Sequence, residues 1–440
     1  MIKRLFIIIL VACLLASGFF LYFSKNKERL EELSSANFAI TNPSARSTRS
    51  GQATSTSSRL RQDFGGQAGQ ATSTDSTSTS AGSVQATTSA PLVNNIKSNL
   101  ADLPGQLVHH LFNINSVPAP KGASFSPNGQ EIWATLLLNK SRGVAVFDAG
   151  TGKNIANINL ANGGGVEMIF AKDGSKAYVS QMETAQVFEI DTATKKVLQV
   201  FDTKGNWTKE LDFSSDGQSL FASNWVGNTV TEIDIETGKT IRQIPTVKTP
   251  RGMYATKDGN FLYVAGFDKG EIQKVDLKTG QGKVIYKSNG AMRHIVGDEN
   301  RGVLYVSDMG KMSIMQVDLA TDQVKKFATT DTNPNTIALS PDKKVLFVSC
   351  RGVNATAENY YIPGPEWGSV LLFDTQTGNM LDAIVGGNQP TALAVSPNGQ
   401  QMVFSDFLDN RLQVFKVPEY SVLLAGYGGR SSVYKSQLKK

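Results

Sequence analysis

Between residues 105 and 418 short apolar runs alternate with polar turns at a nearly fixed interval. The clearest runs are IWAT at 132, AYVS at 177, LFAS at 220, LYVA at 262, LYVS at 304, LFVS at 346 and MVFS at 402. Their starts lie 45, 43, 42, 42, 42 and 56 residues apart. Short runs rich in β-branched and aromatic residues predict strands. Ahead of each run stands a turn: Pro127-Asn128-Gly129, Lys172-Asp173-Gly174, Ser215-Asp216-Gly217, Lys257-Asp258-Gly259, Pro341-Asp342-Lys343 and Pro397-Asn398-Gly399, with a looser Glu299-Asn300-Arg301-Gly302. Asn-Gly and Asp-Gly supply the positive φ that tight hairpins need. A later strand of each unit ends at Asp148, Asp191, Asp234, Asp276, Asp318 or Asp374, mostly within Asp-x-x-Thr-Gly. That carboxylate is placed to accept N–H bonds from its own turn.

Seven units of ~40–45 residues with four short strands each predict an all-β fold, a seven-bladed β-propeller. The seventh unit has only three strands, at about 391–396, 402–406 and 411–417. Residues 105–117 hold a strand with no unit of its own. This N-terminal strand is therefore expected to complete the last blade and close the ring, which removes an open sheet edge. The propeller then spans 105–418, followed by a basic C-terminal tail at 419–440.

The N-terminal part has a different pattern. Lys3-Arg4 precede the uncharged run Leu5 to Phe23, and Lys25 and Lys27 follow it. Nineteen uncharged, mostly apolar residues at ~1.5 Å each just cross a ~30 Å hydrocarbon core. Residues 1–30 thus read as a membrane anchor or a signal segment; an uncleaved anchor is favoured because a secretory signal has a shorter apolar stretch. Leu10-Val11-Ala12-Cys13 also resembles a bacterial lipobox, which would place a lipid on Cys13. Residues 31–104 are Ser/Thr-rich and contain the near-repeat GQATSTSS and GQATSTDS. Such a stretch cannot bury enough apolar surface to offset its chain entropy, and it reads as a disordered tether. Positive charge flanks both ends of the apolar run, so it does not settle orientation. The tether favours an exported body: a cell-envelope protein anchored in the inner membrane through 5–23, its propeller in the periplasm or outside the cell.

Charge refines this picture. The formal net charge is +6, yet residues 106–420 carry 30 basic against 32 acidic residues. The excess of positive charge sits at the ends of the chain, so the high isoelectric point is no argument for nucleic acid binding. Two cysteines exclude a disulfide framework, and three histidines leave little room for a multi-His metal centre. No Gly-rich phosphate loop, His-x-x-x-His pair or Gly-x-Ser-x-Gly elbow is present. No metal or cofactor is expected, and the protein is expected to be monomeric.

Aligning the units on their second strands lines up the residues that lead into each blade. The first ring position reads Lys121, Val166, Lys209, Arg251, Arg293, Asn335, Thr391, and the next Gly122, Glu167, Glu210, Gly252, His294, Thr336, Ala392. Cations, two carboxylates and a histidine therefore converge on one channel mouth. Clustered Arg and Lys between low-dielectric walls concentrate an anionic ligand, which Arg grips through paired N–H groups. The loops after the second strands add Trp225, Phe267, Arg351 and Phe407. The 56-residue spacing comes from an insertion at 352–368 that carries Tyr360, Tyr361 and Trp367. The candidate ligand-binding set is Lys121, Glu167, Lys209, Glu210, Trp225, Arg251, Arg293, His294, Arg351 and Trp367. Structural ion pairs, such as Lys209 with Glu210 or Arg293 with Glu167, are the plainer reading of the same charges. Cys350 reads as a small buried filler.

The blocks SPNGQQMVFS, KDGNFLYVAG and SKAYVSQMETAQVFEIDTATKKV resemble the YVTN-type β-propeller repeats of bacterial and archaeal envelope proteins. None of the seven spells Tyr-Val-Thr-Asn; the nearest are Tyr-Val-Ser-Gln and Phe-Ala-Ser-Asn. The resemblance implies periplasmic binding or surface-layer roles, while relatives on that scaffold bind haem or open lactones. The first expectation is a non-catalytic, membrane-anchored propeller that binds a small anionic ligand or an envelope protein at the channel mouth. Its main rival is a lactonase-like hydrolase using Glu210, Arg251, Arg293 and His294. Haem ligation by His294 and stacking of single-stranded nucleic acid on Trp225 and Trp367 are further alternatives.

Overall fold

The computed structural model describes residues 102–138, 143–355, 360–426 and 433–440. The apolar run at 5–23, Cys13 and the Ser/Thr-rich tether lie outside the described residues. Among the described residues no helix is long and apolar enough to cross a membrane.

Among the described residues seven four-stranded antiparallel sheets follow one another along the chain. Blade one consists of Pro120–Phe125, Glu131–Leu136, Val144–Asp148 and Asn154–Ile158. The inner strands of blades two to six begin at Met168, Thr208, Pro250, Met292 and Pro334. Blade seven contains Pro390–Val395, Gln401–Asp406 and Arg411–Lys416, and its outermost strand is His109–Asn115. The expected ring closure is therefore present, with Ile114 opposite Leu412 and His110 opposite Phe415. Inner strands of successive blades are neighbours all the way round, and that of blade one also meets that of blade seven.

The turns hold the sheets as the repeat implies. Asp148 Oδ1 accepts from the Thr151 amide at 2.8 Å and hydroxyl at 2.7 Å. The same pair recurs at Asp191–Thr194, Asp234–Thr237, Asp276–Thr279 and Asp318–Thr321. In the hairpin turns Gly129, Gly174, Gly217, Gly259 and Gly399 have φ of 72–74°. Lys343 adopts φ 62° at the equivalent place in blade six, a conformation that costs a side chain more than glycine. The cores lie between adjacent blades: Phe125, Ile132, Leu136 and Phe147 of blade one pack with Val403, Leu412 and Val414 of blade seven, joined by Ile114.

Blade six differs from the others at its outer edge. Its outermost strand, Met380–Val385, is almost wholly buried, whereas the outer strands of blades one to five are largely exposed. The chain on both sides of the propeller covers it. The Leu107 and Val108 amides donate to Asp382 Oδ2 at 2.8 and 2.9 Å. In the C-terminal segment Leu423, from the helix Tyr420–Ala425, and Tyr434 are buried. The described parts of 419–440 are thus packed on the propeller.

Candidate functional site

A hydroxyl near the end of the second strand sets the position of the channel ring in six of the seven blades. Thr135, Ser180, Ser223, Ser307, Ser349 and Ser405 accept the N–H of the second ring residue of their own blade, at 2.7–3.1 Å. Five of them also donate across to the next blade: Thr135 to the Val166 carbonyl, Ser180 to Lys209, Ser223 to Arg251, Ser307 to Asn335 and Ser349 to Thr391, at 2.6–3.2 Å. Each clip fixes the backbone that carries a ring side chain. The sequence displayed these residues as the last letters of AYVS, LFAS and LYVS, but repetition alone did not reveal their partners. Blade four has Ala265 at this place.

The second ring position is glycine in blades one and four because the next blade approaches too closely for a side chain. A Cβ on Gly122 would stand 2.8 Å from the Val166 carbonyl oxygen and 2.9 Å from Glu167 Oε2. On Gly252 it would stand 2.7 Å from the Arg293 oxygen and from His294 Cα. These gaps let Glu167 and His294 reach the channel.

Arg251 forms the centre of the cluster. Its Nη2 donates to Glu167 Oε1 at 2.6 Å and its Nη1 to Glu210 Oε2 at 2.8 Å. Glu210 Oε1 lies 3.7 Å from His294 Nε2. The ion pairs therefore differ from those the sequence offered: neither Lys209–Glu210 nor Arg293–Glu167 forms, because Arg251 projects between the two carboxylates and takes both. Arg251 and Arg351 are each 3% exposed, Lys121 5% and Arg293 8%.

Among the described residues five basic side chains (Lys121, Lys209, Arg251, Arg293 and Arg351) thus share the mouth with two carboxylates. Among the described residues Arg293 has no hydrogen-bonded or carboxylate partner; it lies over the Phe267 ring, 6.0 Å from the centroid. Burial, then repulsion from Arg251 and Arg351, pushes Arg293 down to about 9, and its guanidinium keeps its charge at neutral pH. Burial, then repulsion from Arg293, Arg351 and Arg251, lowers Lys121 well below the usual lysine range. Burial followed by Arg251 and Lys121 does the same to Lys209. Burial, then Glu210, raises Glu167. Burial works upward on Glu210 as well, but His294 and Arg251 prevail and hold it below its ordinary value. Asp212, two residues along the same inner strand, is pushed up to about 7 by burial; sequence alignment of the ring gave no sign of it.

Aromatic rings line the cations. Lys209 lies 5.5 Å from the ring centroids of both Trp207 and Trp225, and Trp225 packs on Phe267 at 4.9 Å. Lys121 donates to the Tyr360 hydroxyl at 3.0 Å, and the Arg351 guanidinium lies 3.8 Å from the Tyr360 ring centroid. Gln389, which sequence reading passed over, accepts from Arg351 and donates to the Tyr360 carbonyl. Arg351 Nε, His294 Nδ1 and Asn335 Oδ1 are buried without a hydrogen-bond partner among the described residues.

Trp367 is held elsewhere. Its amide donates to the Leu438 carbonyl, Lys440 lies 4.5 Å from its ring, and its side chain joins the core between blades five and six. Trp225 and Trp367 consequently have separate surroundings. Cys350 is fully buried, and burial pushes its thiol up, as befits a packing residue. No group of three metal-ligating side chains occurs among the described residues.

Fold and site together define a seven-bladed β-propeller with a cation-rich channel mouth. A family model described as "Lactonase, 7-bladed beta-propeller" matches residues 122–290, which covers blades one to four. Antigen Lp49 of Leptospira interrogans serogroup Icterohaemorrhagiae serovar copenhageni (strain Fiocruz L1-130) is 49% identical over 83 residues, 19% of this chain. That match spans 18% of the antigen's own length. Among solved structures, a chain of Kuenenia stuttgartiensis hydrazine synthase aligns with a TM-score of 0.58 at 18% identity, over 68% of this chain and 96% of that one. This last likeness is one of fold.

Proposed function

We propose that the chain is a membrane-anchored envelope propeller whose channel mouth binds a small anionic ligand or an acidic segment of an envelope protein. The carrying observation is the charge imbalance at the mouth: among the described residues five buried or half-buried basic side chains, three of them arginines, face two carboxylates, and Arg293 forms no ion pair. Burying an unmatched guanidinium is unfavourable, and an incoming anion removes that penalty. The apolar run at 5–23 and the spacer behind it support anchoring, and the resemblance to YVTN-type repeats supports the envelope setting. The test is native mass spectrometry of the full chain purified from its host's membrane fraction. A stable excess mass that disappears in the Arg251→Ala/Arg293→Ala double variant is the expected result. A bare polypeptide mass, or a chain found only in the soluble fraction, counts against the reading.

One observation favours hydrolysis as a second reading. Glu210 and His294 form a contact beside Arg251, and the lactonase family match includes Glu167, Glu210 and Arg251, though not Arg293 or His294. A carboxylate–imidazole pair can move a proton while an arginine stabilises a developing oxyanion. On this reading the wild-type chain opens small lactones and the same double variant does not; a wild type inactive across such lactones rejects it.

A further inference from the structure

The anion seat of the mouth already contains an oxygen. The Tyr360 hydroxyl accepts from Lys121 Nζ at 3.0 Å, while its ring carries Arg351 on one face at 3.8 Å and has the Phe407 ring at 5.7 Å. Lys121 has no carboxylate partner among the described residues, so the phenol oxygen is the acceptor that a ligand's oxygen would replace. The residue comes from the insertion in blade six, yet it reaches a lysine on the first ring position of blade one.

We propose that Tyr360 is a built-in occupant of the anion site, and that a ligand binds by displacing its side chain from between Lys121 and Arg351. This inference rests on the reading of the mouth as an anion site. The local geometry confines the movement to the side chain. The Tyr360 carbonyl is fixed by Gln389 Nε2 at 2.7 Å, and Gln389 is buried and also bonded to Arg351. Rotation about the side-chain bonds then frees Lys121 Nζ and one face of Arg351 together. The buried Arg351 Nε, which has no partner among the described residues, is a further donor for the incoming group. A neutral phenol is a weaker acceptor for these cations than a carboxylate, because only the carboxylate adds charge–charge attraction to the hydrogen bond. The exchange thus selects for ligands with a formal negative charge: a neutral ligand would gain nothing by replacing the phenol.

The experiment measures citrate binding to the full chain by isothermal titration calorimetry, with citrate as a multivalent carboxylate probe. Four proteins are compared: wild type, Tyr360→Phe, Tyr360→Ala and Arg293→Ala. Loss of the competing hydroxyl is worth roughly a tenfold change in Kd, the size of one hydrogen bond to a charged group. Tyr360→Phe and Tyr360→Ala are expected to bind citrate about tenfold more tightly than wild type, and Arg293→Ala more weakly. If both Tyr360 variants bind as wild type does, or more weakly, while Arg293→Ala still loses affinity, the anion site stands and the displaced-occupant proposal falls. If none of the four proteins binds citrate, or if Arg293→Ala binds as wild type does, the reading of the mouth falls and this proposal with it. Tightening in Tyr360→Phe alone keeps the proposal and assigns the ring a share in holding the ligand.

Discussion

Replacing Arg251 by alanine lowers the stability of the propeller by about 3–5 kcal/mol at pH 7.5, read as a large drop in the urea midpoint. The side chain itself is not the main loss. Its removal leaves Glu167 and Glu210 facing each other in a buried channel with no shared donor between them. Breaking a buried ion cluster costs far more than the intact cluster contributes, since the orphaned charges keep their desolvation penalty.

The pH dependence of that loss has a definite sign. Burial and Glu210 already raise Glu167 in the folded protein. A carboxyl whose folded pKa lies above its unfolded value stabilises the fold most at low pH, and this contribution is lost as pH rises through the folded pKa. Without Arg251 both glutamates move in that direction. The deficit of the variant therefore shrinks between pH 7.5 and pH 5, and adding Glu167→Gln restores part of it at pH 7.5. An unchanged midpoint at both pH values would mean that solvent in the channel neutralises the three groups and that the cluster has no structural weight.

The second large effect concerns closure of the ring. A chain that begins at Pro118 is expected to lose cooperative unfolding and to be recovered mostly insoluble. A chain that begins at Asp102 serves as the folded reference. The shorter chain lacks the outermost strand of blade seven and leaves the edge of Arg411–Lys416 unpaired. It also lacks Val108, Ile114 and Val117, which fill two separate cores. Burial of each such side chain is worth about 1.5–3 kcal/mol. Asp382 loses two of the donors that hold it inside blade six, and stripping hydrogen-bond donors from a buried carboxylate adds a penalty of its own. The milder Ile114→Ala is expected to cost about 2–5 kcal/mol while the ring stays closed. Circular dichroism and urea titration distinguish these outcomes; a shortened chain with the reference midpoint would show that blade seven closes without His109–Asn115.

The ring at the mouth was legible because a propeller repeats. Once IWAT, AYVS and the five later runs were aligned, Lys121, Lys209, Arg251 and Arg293 fell on one level, and Glu167, Glu210 and His294 on the next. Repetition translates sequence offset into height along the channel. It carries no information about which neighbour a side chain chooses. The sequence offered Lys209 with Glu210, but adjacent residues on a strand point to opposite faces, and Arg251 from the following blade reaches both acids instead. The serine clips, Gln389 and the raised Asp212 escaped for the same reason, since each acts across a blade boundary.

Seven units, closure by the N-terminal strand, the Asp-x-x-Thr-Gly turns and a cation-rich mouth were all determined by the sequence, because each depends on local pattern repeated at a fixed interval. Only the tertiary structure decided that Tyr360 sits against Lys121 and Arg351, that Trp367 belongs to the core beside Leu438, and that the C-terminal segment covers blade six. The Tyr360–Lys121 and Trp367–Leu438 contacts join residues 239 and 71 positions apart, in an insertion and in a flanking segment that have no counterpart in the other blades. Where nothing repeats, the pattern along the chain cannot indicate which distant surface a segment will bury.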